Sequence, residues 1–164
     1  MNKGVQKLTR EKFAKYGDIL VKLDDNVKET TFFPDLVRQS IGRDTIVSYS
    51  VCVCMDTDYK IVKAEYHCYT DEMILPLDGD CLFYVAPPTL DGSFPYEKVE
   101  VFLVPQGTLI VMKPGVWHYA PYPVRSDKVA VMCGLPQCTY MNDCTVIELD
   151  DPVSIVLSSE DVNA

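Results

Sequence analysis

The 164-residue sequence contains only two histidines, His67 and His118, and both stand where side chains could do chemistry. Glu65, His67 and Tyr69 recur at every second position. On a β-strand that spacing puts Glu65 and His67 on one face, with Tyr69 in the same phase and able to line the same cavity. Four residues then separate His67 from Glu72, and six separate Glu72 from Gly79. Far downstream, Gly107 precedes a β-rich run. The turn Pro114-Gly115 then leads through Val116 and Trp117 to His118. Two imidazoles and one or two carboxylates converging inside a small β fold make a site for a divalent ion such as Mn, Fe, Ni or Zn. Such an ion could keep open positions for a substrate that offers two oxygens. A lone strand glutamate usually faces solvent. It is the placement of both histidines of the chain that gives the group Glu65, His67, Glu72 and His118 its weight.

Other side chains are candidates around this group. Lys113 ends the run before the Pro-Gly turn, and Arg125 lies in a Pro-rich loop near His118 in sequence. Either could clamp a substrate carboxylate, although exposed basic residues are the default. Tyr119 and Tyr122 could donate a hydrogen bond at a pocket mouth or simply pack its rim. Trp117 is opposite in phase to His118 and is expected in a core or interface. The seven cysteines match no zinc knuckle: Cys52-Val53-Cys54 is Cys-x-Cys, and Cys133, Cys138 and Cys144 have no standard spacing. Cys68 beside His67 points to the opposite strand face, which argues against a thiolate nucleophile.

The elements that must position these residues are mostly β. The first is a short helix from Arg10 to Tyr16. Thr9 is its N-cap, Leu8 and Phe13 are staple residues, and Gly17 is its stop. Asp24 to Pro34 is expected to be loop. From Ile46 onward the pattern alternates, with Val47, Tyr49, Val51 and Val53 out of phase with Ser48, Ser50, Cys52 and Cys54. Further β runs are 61–69, 73–77, 81–86, 99–104, 108–112, 128–133, 145–149 and 153–157. Turn residues such as Asp78-Gly79-Asp80 and Gln106-Gly107 separate them. About nine short strands with little helix predict an all-β, antiparallel barrel or sandwich. A single domain over 1–164 is expected, with the helix within 8–16, the barrel over 46–157 and a frayed tail over 158–164.

Composition sets the outer bounds. Hydrophobic residues are 48% and charged residues 24%, the balance of a globular protein rather than a disordered one. Fifteen basic against twenty-four acidic residues leave a net charge of −9, which argues against nucleic acid as a partner. No apolar run reaches the roughly 18 residues of a membrane span. Met1 to Lys15 lacks the apolar core of a secretory signal, so reduced thiols and a cytoplasmic setting are expected.

The spacings around the histidines resemble the two motifs of the cupin superfamily, with Glu65 at the place of its usual first His. His67, Glu72 and His118 match its other ligand places. The resemblance implies a cupin-type, jelly-roll-like barrel with a short N-terminal helix. A closer resemblance is to the ureidoglycolate lyase family. It is carried by Leu8-Thr9-Arg10-Glu11-Lys12-Phe13-Ala14-Lys15-Tyr16-Gly17-Asp18-Ile19, by Glu65-Tyr66-His67 through Ile74-Leu75-Pro76-Leu77-Asp78-Gly79, by Val116-Trp117-His118 and by Asn142-Asp143-Cys144. Glu72 stands where that family usually has Gln, Tyr119 where it has a second His, Tyr66 where it has Arg and Cys68 where it has Pro. The resemblance implies an often dimeric lyase that splits ureidoglycolate, a small anionic hydroxy acid of allantoin and purine breakdown, into glyoxylate and urea. Glu72 or Glu65, or a metal-bound hydroxide, would take the hydroxyl proton. Tyr119 would protonate the leaving urea. The alternatives are a non-catalytic cupin that binds a small molecule or metal, and another cupin enzyme such as a sugar isomerase.

Overall fold

The computed structural model describes residues 1–20, 37–42, 45–55 and 58–158. Its strands are β1 (Asn2–Lys7), β2 (Gly17–Leu20), β3 (Val47–Cys54), β4 (Lys60–Tyr66), β5 (Glu72–Pro76) and β6 (Cys81–Val85). They continue with β7 (Glu100–Val104), β8 (Leu109–Met112), β9 (Tyr122–Pro123), β10 (Val129–Pro136) and β11 (Thr145–Val156). Among the described residues, helix is confined to the single turns α1 (Arg10–Phe13) and α2 (Thr139–Asn142), with a 3-10 turn at Tyr96–Lys98.

These strands make two sheets, a six-stranded one ordered β4-β11-β1-β7-β6-β9 and a five-stranded one ordered β2-β8-β5-β10-β3. Among the described residues the sheets keep free edges and do not close into a barrel. The pairing is also not wholly antiparallel: β1 runs parallel to both β11 and β7. No periodic signal in Asn2–Lys7 marks it as a strand, because it is held by its neighbours rather than by an apolar face of its own.

One core lies between the sheets. Ile19, Ile74, Ile110, Met112 and Val131 of the five-stranded sheet meet Phe83, Val85, Phe102 and Val104 of the other. A second core covers the far face of the six-stranded sheet, where Leu82, Tyr84 and Val101 pack under Phe94, Val99 and Trp117 from the connections. Strand β6, Cys-Leu-Phe-Tyr-Val, is therefore buried at every position, which explains its continuous apolar sequence.

The helix at the N-terminus is shorter than 8–16. Thr9 caps it by accepting from the Lys12 amide at 3.3 Å, and Leu8 and Phe13 are both buried. Gly17 is not its stop but the first residue of β2. A Cβ there would lie 1.9 Å from the Val111 carbonyl oxygen, so only glycine lets β2 come against β8. The runs 145–149 and 153–157 are one strand with a register shift between Glu148 and Val153. Asp24 to Pro34 and residues 159–164 lie outside the described residues. All seven cysteines are free thiols, and no described helix is long and apolar enough to cross a membrane.

Candidate active site

Three elements carry the four residues to one place. Glu65 is the penultimate residue of β4, and His67 follows where the strand ends. Glu72 opens β5 in phase with Ile74, so it points between the sheets with the core. His118 comes from the segment after the Pro114-Gly115 turn. Gly115 holds that turn at φ +79°, and its amide donates to the His67 carbonyl at 2.6 Å. The segment is then fixed on two sides. Trp117 bridges Ala86 beyond β6, and His118 bridges Glu65 through paired backbone bonds of 2.7 and 2.9 Å.

The four side chains are all buried, and one ligand atom from each lies within 4.8 Å of the others. Each imidazole is oriented by a backbone carbonyl: His67 Nδ1 is 2.6 Å from the Asp143 oxygen and His118 Nδ1 is 2.8 Å from the Val116 oxygen. A carbonyl only accepts, so both Nδ1 atoms carry hydrogen and both Nε2 atoms face inward. Glu72 Oε2 sits 3.2 Å from His67 Nε2 and 2.7 Å from His118 Nε2, and Glu65 Oε1 lies 3.7 Å from His118 Nε2. Beyond these approaches to one another, His67 Nε2, His118 Nε2 and Glu72 Oε2 have no hydrogen-bond partner. Buried polar atoms are rarely left so. Inward Nε2 atoms with backbone-held Nδ1 atoms are the arrangement of imidazoles that ligate a metal. The donor set therefore fits a divalent cation.

The two carboxylates have opposite electrostatics. Burial pushes the Glu72 carboxyl up, but His118 and His67 together outweigh it and hold it at about 2. Burial dominates at Glu65 and raises it, with neighbouring Glu72 adding to the shift. Burial disfavours the charged form of His67, yet its bond and proximity to Glu72 carry its pKa above the ordinary 6.5. Two acids held apart in this way are suited to different tasks.

A cavity of about 190 Å³ opens onto the group. Its walls are Cys52, Cys54, Val131 and Cys133 from the five-stranded sheet, Val146 from the other, and Tyr119, Ala120, Pro121 and Tyr140 at the mouth. No Lys or Arg lines it among the described residues.

The ureidoglycolate lyase family model matches residues 4–156, a span that takes in both sheets and every residue of the cluster. The chain belongs to the ureidoglycolate lyase family. It is thus an enzyme of lyase type. Comparison with curated proteins gives no match.

The other candidates distribute unevenly around this lyase site. Tyr119 stands in the cavity wall. Tyr69 does not: β4 stops at Tyr66, the alternation ends with it, and Tyr69 is 85% exposed on a loop. Lys113 is exposed and donates to the Ala14 carbonyl at 2.7 Å, on the side of α1. Arg125 is paired with Asp80 at 3.4 Å. Tyr122 donates to the Lys60 carbonyl, and Trp117 is buried in the second core. Cys68 is exposed, away from the cavity.

Sequence reasoning missed the segment 138–144 as a support of the site. Cys138 adopts a left-handed conformation, φ 62°, and turns the chain into α2. Tyr140 from α2 stands edge-on to His67, ring centres 6.4 Å apart. The Asp143 carboxylate accepts from the Cys68 and Tyr69 amides at 2.7 and 2.8 Å, while its carbonyl orients His67. The Cys144 thiol donates to Glu65 Oε2 at 3.6 Å. The only sequence signal was Asn142-Asp143-Cys144, and it was a likeness rather than a chemical pattern.

Proposed function

We propose that this lyase splits ureidoglycolate into glyoxylate and urea in the cavity between the sheets, with a divalent metal held by His67, Glu72 and His118 and Glu65 standing beside it. The observation that carries the reading is the gathering of four buried ligand atoms within 4.8 Å of one another beside a cavity that no Lys or Arg lines among the described residues. An anionic hydroxy acid entering beside Glu72 needs a positive charge, and among the described residues no Lys or Arg of the cavity wall supplies one. A bound Mn, Fe, Ni or Zn would supply that charge and polarise the substrate's hydroxyl and carboxylate oxygens.

The chain's own residues divide the remaining work. Glu65 takes the proton of the substrate hydroxyl, because its raised pKa makes it the stronger base; a carboxylate held at about 2 is a feeble one. As that O–H bond breaks, the C–O bond becomes the aldehyde carbonyl of glyoxylate and the C–N bond breaks. Tyr119 gives the leaving nitrogen its proton, which completes urea. Lys113, Arg125 and Tyr69 have no part, since none lines the cavity. The frame is read as a cupin-type jelly roll with open edges, in a single domain over 1–164. Two chains form a homodimer in the cytoplasm, a compartment that suits seven free thiols.

The test is glyoxylate release from ureidoglycolate by protein loaded in turn with each of the four metals, with metal content measured beside it. Release that follows metal occupancy supports the reading. Ligand binding with no release from any metal form would reject it in favour of a non-catalytic binding protein.

A further inference from the structure

The sheet edges differ sharply in how they are protected. An unpaired strand edge invites another chain, and proteins blunt it with charge or by keeping it short. β4 carries Lys60, Lys63 and Glu65, β2 has four residues including Asp18, and β9 has two. β3 has eight residues and no charge, and the uncharged stretch runs from Thr45 to Met55 in a chain of net charge −9. It pairs along its full length with β10, and its other side meets no strand among the described residues. Tyr49, Val51 and Val53 share one face and are 60%, 59% and 55% exposed.

We infer that β3 is the surface on which a second copy of this chain docks, by antiparallel pairing of the two β3 edges about a two-fold axis at Val51. This gives a surface to the homodimer reading above and rests on it. The pairing is self-complementary, as a two-fold interface must be. Val51 faces Val51 of the second copy and Tyr49 faces its Val53, a β-branched pair and two aromatic–β-branched pairs on one face. On the other face Ser50 meets Cys52. Two chains of charge −9 repel across most of their surfaces, and β3 is where they can approach without like charges meeting. The result is a continuous ten-stranded sheet. It also bears on the site. Cys52 lines the active-site cavity, and Ser48, Ser50 and Cys52 line a hollow of about 140 Å³ beside it. The second copy's strand turns this open rim into a wall.

The experiment measures mass in solution by light scattering for the wild type and for Val51→Lys, which sets two ammonium groups against each other on the axis. The wild type is expected at twice the chain mass and Val51→Lys at the chain mass, with an unchanged circular dichroism spectrum. Val51→Cys in a Cys52→Ser background is expected to give a covalent dimer with diamide, above that of Cys52→Ser alone. Leu90→Cys, an exposed site on another loop, is expected to give none. A monomeric wild type would overturn this interface together with the homodimer. A dimer that survives Val51→Lys, or a Val51→Cys variant that does not cross-link, would overturn the interface alone. Glyoxylate release is measured separately, so failure of the interface is distinguishable from failure of the lyase reading.

Discussion

Replacing Glu72 by Gln keeps the side chain's shape and removes one charge from the centre of the site. The two roles open to Glu72 give effects of similar size and opposite sign. As a metal ligand, its loss should weaken the metal at least as much as loss of an outer hydrogen-bond partner, about 10–100-fold. Turnover should then fall by about 100-fold or more at fixed metal. If Glu72 instead merely repels an anion, its removal should help. A substrate carboxylate about 5 Å away, at an effective dielectric of about 20, feels roughly 3 kcal/mol of repulsion, which is more than 100-fold in affinity. The proposed ligand role rests on Glu72 Oε2 lying 3.2 and 2.7 Å from the two Nε2 atoms. The expected result is low metal content and a loss of glyoxylate release. Glu65→Gln is the complement: metal retained, release lost, because the proton acceptor has gone. Elemental analysis, calorimetric titration of substrate and an NADH-coupled glyoxylate assay read these separately. Tighter ureidoglycolate binding and equal or faster release by Glu72→Gln would refute the assignment.

Two further outcomes follow from the same geometry. In metal-free protein His67 and Glu65 both have raised pKa values, so both hold protons more tightly folded than unfolded, and stability falls as pH rises through their folded values. His67's contribution is complete below 6.5, and that of Glu72, lowered to about 2, is constant through the neutral range. Metal reverses the slope, because its ligands must be deprotonated. At metal about 100-fold above Kd the gain is roughly 2.7 kcal/mol, or about 5–11 °C in Tm for a domain of this size. Melting curves from pH 5 to 8 with and without metal should therefore slope oppositely, and parallel curves would exclude a metal at this group. Lys113→Ala and Arg125→Ala should leave the KM for ureidoglycolate within about two-fold, since both lie outside the cavity and surface changes are usually small. A ten-fold rise for either would show that a cation reaches the substrate.

The cluster was legible in the sequence because its ligands obey local rules. Glu65 and His67 alternate along one strand, and the Pro114-Gly115 turn fixes where His118 begins. Tyr69 failed under the same rule, since period two holds only while the strand lasts, and β4 ends at Tyr66. Lys113 and Arg125 failed because nearness in sequence says nothing about which side of a sheet edge a long side chain takes. β1 left no pattern, because a parallel strand between two others takes its register from them. Asp143 was invisible for a related reason: its main contribution to His67 is a backbone carbonyl, an atom every residue has.

Charge balance explains how such a group can be buried without a Lys or Arg beside it. With both carboxylates ionised and both imidazoles neutral, the cluster would hold two negative charges in a buried pocket, an arrangement that desolvation heavily penalises. The protein answers this with protons. Burial raises the Glu65 pKa, and against burial Glu72 raises that of His67, so both shifts favour the protonated forms that offset an ionised Glu72. A divalent cation would do the same work with two charges, and its binding would compete with protons at these groups. Glu65, the carboxylate with the raised pKa, is also the one to which the Cys144 thiol donates. Segment 138–144 therefore supports both halves of the site, orienting His67 through Asp143 and Glu65 through Cys144.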